Sequence, residues 1–277
     1  MNSGLLSLAD YHVHPDFSFD AKGSLDEFCE VAVERGLTEI CFTTHYDTDP
    51  RLPEHHRRMN IGGASVPTTF ENIGKYVDAV AETAEKYIGR ELVVQCGIEV
   101  GYFSGCENEI KELFNKYNFH YKLGSIHQVG QIDICNEKSM QDAITRFDIN
   151  QFGDAVFEDL CKSAECRLFD ALGHVDMYKK YGIKTYGEGI LKIHQGRIEK
   201  LFEIMSETGV GYELNTSGLR RGHSDYYPSI AIINMARAAG VRVVAVGSDA
   251  HRPEEVAFDF ENAASIAYEL TSPYCGE

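Results

Sequence analysis

The chain has 277 residues, 43% of them hydrophobic, and a formal net charge of −17. That length fits one large α/β domain better than two small ones, and so ordinary a composition excludes disorder and collagen-like repetition. A surface this acidic repels nucleic-acid phosphates, although bound cations can reverse the sign locally for a small phosphorylated ligand.

The first residues, Met1–Leu8, carry no basic leader and no cleavage-site pattern, so a cytoplasmic protein is expected. No apolar run approaches the roughly 18 residues of a membrane-spanning helix, so no membrane association is expected. A rhythm then begins of short apolar runs, polar loops and longer amphipathic stretches. The runs lie near Leu8–His14, Thr38–His45, Leu92–Glu99, His120–His127, Phe169–Val175, Gly209–Asn215 and Val241–Asp249. Each reads as a buried parallel strand. Helices are predicted between them, over Ser24–Arg35, Phe70–Ile88, Glu107–Tyr117, Phe152–Ala164, Gly187–Thr208 and Ser229–Ala239. A last helix is expected from about Pro253 to Leu270. Ser24 with Glu27 is a capping-box start, and Gly36, Gly209 and Gly240 stand where helices should end. No linker, internal repeat or low-complexity tract interrupts the series. Seven β-α units in succession predict a barrel or a doubly wound sheet. Eight cysteines are scattered without a C-x-x-C pair, which predicts reduced, mostly buried thiols.

Six of the seven runs end in a ligand-type residue: His12 and His14, His45, Glu99, His127, His174, and Asp249 with His251 just beyond. In a parallel barrel all strand C-termini open on one face, where barrel enzymes place their chemistry. Residues more than 200 positions apart would therefore converge. Strand alternation points His12 and His14 to one side, so one cation can take both imidazoles. Asp10 and Asp20 flank the pair. A carboxylate such as Glu99 can bridge two cations. Mixed imidazole and carboxylate ligands suit zinc, iron or manganese, and the count of ligands suits two or three divalent ions rather than one. Adjacent ions can activate a bridging water and stabilise both the attacking and the leaving oxygen.

The segments Asp10-Tyr-His12-Val-His14, Thr44-His45, Gly97-Ile-Glu99, Ser125-Ile-His127, Gly173-His174-Val-Asp176 and Gly247-Ser-Asp249-Ala-His251 resemble the motif series of the PHP (polymerase and histidinol phosphatase) superfamily, in family order. The resemblance implies an α/β fold, a distorted (β/α)7 barrel, as a single domain over residues 1–277. It implies a trinuclear site. One ion would be held by His12, His14, Glu99 and Asp249, a second by Glu99, His127 and His174, and a third by Asp20, His45 and His251. Some relatives carry histidine at the position of Asp20.

Within the superfamily the chain most resembles the stand-alone histidinol-phosphate phosphatases. It carries Glu213-Leu-Asn215-Thr-Ser217-Gly-Leu-Arg220-Arg221 at and beyond the sixth run. The resemblance implies an arginine on the substrate phosphate, Arg220 or Arg221, by bidentate contact. His223 is a candidate proton donor or supporting group. Asp249 or His251 would protonate the leaving group. The implied reaction is phosphate monoester hydrolysis by a metal-activated hydroxide, taking L-histidinol phosphate to L-histidinol plus phosphate in histidine biosynthesis. Two long loops, Tyr46–Thr69 and Gln128–Arg146, leave the same face and are read as lids. Asp47, Asp49 and Gln128 are candidates to face the cationic end of the substrate. An alternative keeps the site and changes the substrate to a nucleoside monophosphate or a small phosphodiester; the acidic balance disfavours DNA. An amidohydrolase-type barrel would lack the Thr-His pairing, and a non-catalytic metal-loaded scaffold would have lost ligands.

Overall fold

The apolar runs form seven parallel strands of one sheet: β1 (Ala9–Val13), β2 (Glu39–Phe42), β3 (Val93–Gly101), β4 (Tyr121–Ser125), β5 (Ala171–Leu172), β6 (Gly211–Asn215) and β7 (Val243–Gly247), in that spatial order. The structure, a computed structural model, describes residues 8–271. A short strand, His45–Tyr46, continues β2 along β3 in unbroken register, with Glu39 opposite Val93 and His45 opposite Glu99. The edge strands meet through one bridge, Val13 to Ala250, where the His14 N–H donates to the Ala250 carbonyl at 2.8 Å and the Ala250 N–H donates to the His12 carbonyl at 3.4 Å. The result is a nearly closed, distorted barrel in a single α/β domain.

Two packing layers hold this barrel. A small cluster of Cys41, Tyr121, Leu123, Ala171 and Ala245, with Tyr11 against it, draws one or two side chains from each of several strands and fills the interior. The larger core lies between sheet and helices and includes Phe28, Ile40, Phe42, Ile73, Tyr76 and Ile98. Helix Phe70–Tyr87 buries Ile73, Tyr76 and Val80, the spacing that puts an apolar stripe on one face. Its Tyr76 hydroxyl donates to the carbonyls of Phe42 and Gly97, at 2.7 and 3.0 Å. That contact ties the helix to the sheet where β2 breaks at Thr43–Thr44. Helix Leu25–Glu34 starts with the expected capping box: Ser24 Oγ accepts from Glu27 N–H, and Glu27 accepts from Ser24 N–H at 2.7 Å.

The stretch read as one helix over Gly187–Thr208 is instead broken. Helix Lys179–Tyr186 precedes it, a 3-10 turn covers Gly187–Lys192, and the helix proper is Ile198–Thr208. Gly187 and Gly196 sit at φ 70° and 76°, a left-handed backbone that no α-helix continues through. The two long loops carry hairpins of their own, Arg58–Ile61 with Ala64–Pro67 and Gln128–Val129 with Ile132–Asp133. All seven described cysteines are free, three buried and four partly so; Cys275, like the N-terminal stretch before Leu8, lies outside the described residues. Among the described residues no helix is long and apolar enough to cross a membrane.

Candidate metal centre

Strand geometry brings the nine candidate ligands to one end of the barrel. Three pairing positions on β1 span only two on β2 between Asp10 and Val13, so β1 holds one extra residue there. Such a bulge re-aims the side chains that follow it, here His12 and His14. Register places His45 directly beside Glu99. His174 and Asp249 follow β5 and β7 with φ of 26° and 53°. A non-glycine residue in that region is uncommon, and such strain clusters at functional sites. Arg220 secures the second of these turns: its two terminal nitrogens donate to the carbonyls of Ser248 and Asp249, at 2.6 and 2.8 Å. Asp10 ties β1 to the same turn, accepting from the Ser248 and Ala257 amides, each at 2.9 Å.

Glu99 lies at the centre, fully buried. Its Oε1 is 2.9 Å from His174 Nε2, 3.3 Å from His127 Nε2 and 3.4 Å from His12 Nε2. Its Oε2 is 2.9 Å from His45 Nδ1 and 3.5 Å from His14 Nε2. Asp249 Oδ1 lies 3.6 Å from His14 Nε2, 3.8 Å from His12 Nε2 and 3.5 Å from His251 Nδ1. Asp20 bridges His45 and His251 at 3.6 and 3.4 Å. Burial drives the Glu99 carboxyl up, but the neighbouring charges of His12, His127 and His45 outweigh it and hold the group well below the usual range. Asp249 behaves alike: burial is outweighed by His12, His251 and Arg221. His14 goes the other way: burial, with the charges of His45 and His251, holds it well below the ordinary histidine value.

Whether these residues suit metal ions can be read from their lone pairs. His12 Nε2, His14 Nε2, His45 Nδ1 and Glu99 Oε2 are buried without a hydrogen-bond partner, although they converge on one another. Buried polar atoms are almost always satisfied, and an orphaned cluster calls for a bound ion. Four overlapping groups have donor atoms within 4.8 Å of each other: His12, His14 and Asp249; His12, Glu99 and His174; His45, Glu99 and His127; and His14, His45 and His251. Imidazole nitrogens and carboxylate oxygens with no thiolate fit zinc, iron or manganese.

The tautomers agree. His12 Nδ1 donates to Glu213 Oε1 at 2.6 Å, and His127 Nδ1 to Asp47 Oδ1 at 2.9 Å. His251 Nδ1 donates to the Asp249 carbonyl at 3.0 Å. Each bond leaves Nε2 bare for a cation, and such supporting acids raise ligand basicity. Glu213 and Asp47 in these roles were not foreseen. Nothing in the sequence marks them; in the structure the glycines opposite make room, since a Cβ on Gly247 would meet Glu213 Oε1 at 2.1 Å, and one on Gly101 would meet Asp47 Oδ1 at 1.9 Å. Ser125 Oγ donates to Glu99 Oε1 at 2.6 Å and Ser217 Oγ to Asp249 Oδ2 at 3.0 Å, completing the frame.

Above the cluster opens a cavity of about 380 Å³, lined by ligands and by Phe19, Asp47, His56, Met177, Lys180, Arg220 and Arg221, among others. The two loops meet over it, where His56 Nε2 lies 3.1 Å from Asp133 Oδ2. Arg221 Nη2 is 3.7 Å from Asp249 Oδ2, whereas Arg220 is engaged by the backbone carbonyls. Three candidates fall elsewhere. Gln128 is buried, donates to the Gly130 carbonyl at 2.7 Å and does not line the cavity; its hairpin needs that bond. His223 does not line it either, and its ring lies 5.9 Å from that of Tyr227. Asp49 is buried against Arg51 at 2.6 Å.

The sequence profile of the PHP domain family matches residues 10–217. A Deinococcus radiodurans protein named "Probable histidinol-phosphatase" is 27% identical over 259 residues, 94% of this chain and 92% of its own length. The histidinol-phosphatase of Bacillus subtilis is 22% identical, over 91% of this chain and 96% of its own. Among solved structures, the histidinol phosphate phosphatase of Lactococcus lactis, complexed with zinc, L-histidinol and phosphate, is similar with a TM-score of 0.75 and 17% identity. The match covers 96% of this chain and 94% of that one, a likeness of fold.

Proposed function

The chain belongs to the PHP domain family and is a metal-dependent phosphoesterase; from that premise we propose that it hydrolyses phosphate monoesters, with L-histidinol phosphate as substrate. The observation that carries the reading is the convergence of nine ligand-type side chains, several with bare buried lone pairs, beneath a cavity that arginines enter. The names of the relatives support the choice of leaving group. His12, His14, Glu99 and Asp249 would hold one ion, Glu99, His127 and His174 a second, and Asp20, His45 and His251 a third. Bound ions would supply Lewis acidity toward phosphoryl oxygens and a lowered pKa for water.

The chain's own groups do the rest. Glu213 and Asp47 fix the tautomers of His12 and His127. Arg221 reaches the cavity with its guanidinium and offsets charge on the phosphoryl oxygens in the transition state. Asp249 and His251 line the wall as ligands, and Asp249, held ionised by its charged neighbours, has no proton to give the leaving alkoxide, which takes one from water. Arg220 holds their turn in place rather than gripping substrate.

The test is a substrate panel with purified protein, with and without added zinc or manganese: L-histidinol phosphate, several nucleoside monophosphates and a chromogenic diester. Histidinol phosphate should exceed the others in kcat/KM by at least tenfold and release phosphate directly. Faster turnover of a nucleotide or of the diester would move the substrate assignment there. Labelled phosphate on a protein side chain would overturn the direct hydrolysis.

A further inference from the structure

The three ion positions assigned above are not equally enclosed. His12, His14 and Glu99 are fully buried, whereas the side chains of Asp20 and His251 stay 40% and 18% exposed. The outer position therefore depends on how firmly the two segments that carry Asp20 and His251 are held. Their backbones are fastened together. The Lys22 N–H donates to the His251 carbonyl at 2.9 Å, and Gly23 lies so close to Pro253 that a Cβ would meet its ring at 2.7 Å. Arg35, at the end of helix Leu25–Glu34, donates to the carbonyls of Glu254, at 2.8 Å, and Val256. One side chain completes the frame. Glu255, four residues beyond His251, accepts from the His251 backbone N–H through Oε2 at 2.8 Å. Its Oε1 faces Arg220 Nε at 3.5 Å. Arg220 and His251 Nδ1 share the Asp249 carbonyl, at 2.8 and 3.0 Å. Glu255, Arg220, Asp249 and His251 thus close a ring of polar contacts that carries one ligand of the first ion and one of the third.

We propose that Glu255 is a positioning residue for the third ion: by holding the His251 amide it fixes the His251 imidazole beside Asp20, 3.4 Å away, and so sets the affinity of that position while leaving the other two unchanged. The inference rests on the three-ion reading above but not on the identity of the substrate. A carboxylate that accepts from a backbone N–H makes a short, directional contact, stronger than one between neutral groups. Groups that orient a ligand without touching the metal contribute about 10–100-fold in metal affinity. The effect is confined to the third position because the imidazoles of His12 and His127 are held elsewhere, by Glu213 and Asp47, and Asp249 keeps its own contacts with Arg220 and Ser217.

The test titrates the metal-free protein with cobalt(II), follows its absorption spectrum and counts bound metal by elemental analysis. The parent protein should take up three ions. Glu255→Ala should bind the third about 10–100-fold more weakly and the first two within about twofold of the parent. Glu255→Gln keeps an oxygen for the amide and loses the charge, and it should recover most of the loss. Glu255→Asp keeps the charge and falls short of the amide. It should behave like the alanine variant, and it stands in for that variant should Glu255→Ala fail to fold. Three ions bound at parent affinity by both shortened variants, or equal weakening of all three positions, would overturn the proposal. So would a glutamine variant as weak as the alanine one, since Glu255 would then act through its charge and not by position. A parent protein that takes up only two ions at saturation would remove the third position itself, and this inference with it.

Discussion

Glu99 stands within 3.5 Å of five histidine nitrogens, yet what orders those imidazoles lies one bond farther out. Glu213 holds His12 through Nδ1 and also accepts from the His174 amide at 3.2 Å, so one carboxylate positions ligands on two strands' ends. Glu213→Gln keeps the shape but loses the charge that sets the tautomer. Metal affinity should fall by about 10–100-fold, with a melting temperature close to the parent's, as read by metal titration. Unaltered affinity would make Glu213 a packing residue. The convergence of the candidate His and Asp ligands was legible in sequence because they recur at strand ends, whereas Glu213 was not, because its partner is 201 positions away and only the register of the barrel joins them. Away from the centre, Asp159 offers a pH signature. Burial, against the opposing charges of Lys162 and Arg51, raises its carboxyl to about 6. The sign follows: the folded state prefers the neutral acid, so its cost is absent only well below the ordinary aspartate value, is still small near pH 4, grows as pH rises and is complete above about pH 6. Asp159→Asn should therefore raise the melting temperature by roughly 3–5 °C at pH 8 and by less than about 1 °C at pH 4, measured by calorimetry. An equal effect at both pH values would point to packing instead.

Among the elements, the barrel strands were readable and the hairpins inside the two long loops were not. Parallel strands buried on both faces appear as continuous apolar runs, so β2, β4 and β7 fall inside the predicted stretches, and β3 runs two residues past its own to Gly101. The hairpins Arg58–Ile61/Ala64–Pro67 and Gln128–Val129/Ile132–Asp133 are short and partly polar, and no alternation of that length separates strand from loop. Helix Lys179–Tyr186 was missed for a related reason: buried Lys179 breaks the apolar stripe, and only its ion pair with Asp176 makes the position tolerable. What the sequence did signal was the length of both loops, and the structure joins them through His56 and Asp133. Phe19 packs on the same histidine, ring centroids 4.8 Å apart, so the clasp reaches the metal-centre wall. His56→Ala should free both hairpins without touching a ligand. Hydrogen exchange should rise in residues 54–67 and 128–136, and KM should increase several-fold with kcat changed less than twofold. Exchange confined to the first segment would mean that the hairpins do not move together.

Over the whole molecule, the metal centre and the incomplete closure of the barrel are one problem. β1 and β7 lack a continuous ladder, and what joins them is a short bridge, His14 N–H to the Ala250 carbonyl at 2.8 Å and Ala250 N–H to the His12 carbonyl at 3.4 Å, with Asp10 accepting from the Ser248 amide. The seam is flanked by ligands from both sides: His12 and His14 at the end of β1, Asp249 and His251 after β7. Ions shared by those residues would therefore close the barrel as well as serve the reaction. Without them the seam holds imidazoles and carboxylates whose lone pairs face each other, an arrangement that costs stability wherever no proton or cation lies between. Ligands that bind only the folded state stabilise it by about 2.7 kcal/mol at a hundred times their dissociation constant. For a chain of this size that amounts to roughly 5–10 °C. Stripping the protein with a chelator should lower the melting temperature by about that much and abolish phosphatase activity, and adding back zinc or manganese should restore both. Hydrogen exchange locates the effect. Protection should be lost in β1 and in residues 243–251, while β3 and β4, paired along their lengths at the opposite side of the sheet, keep theirs. Equal loss around the whole barrel would show that the ions support the fold generally; loss confined to the seam would show that they complete it.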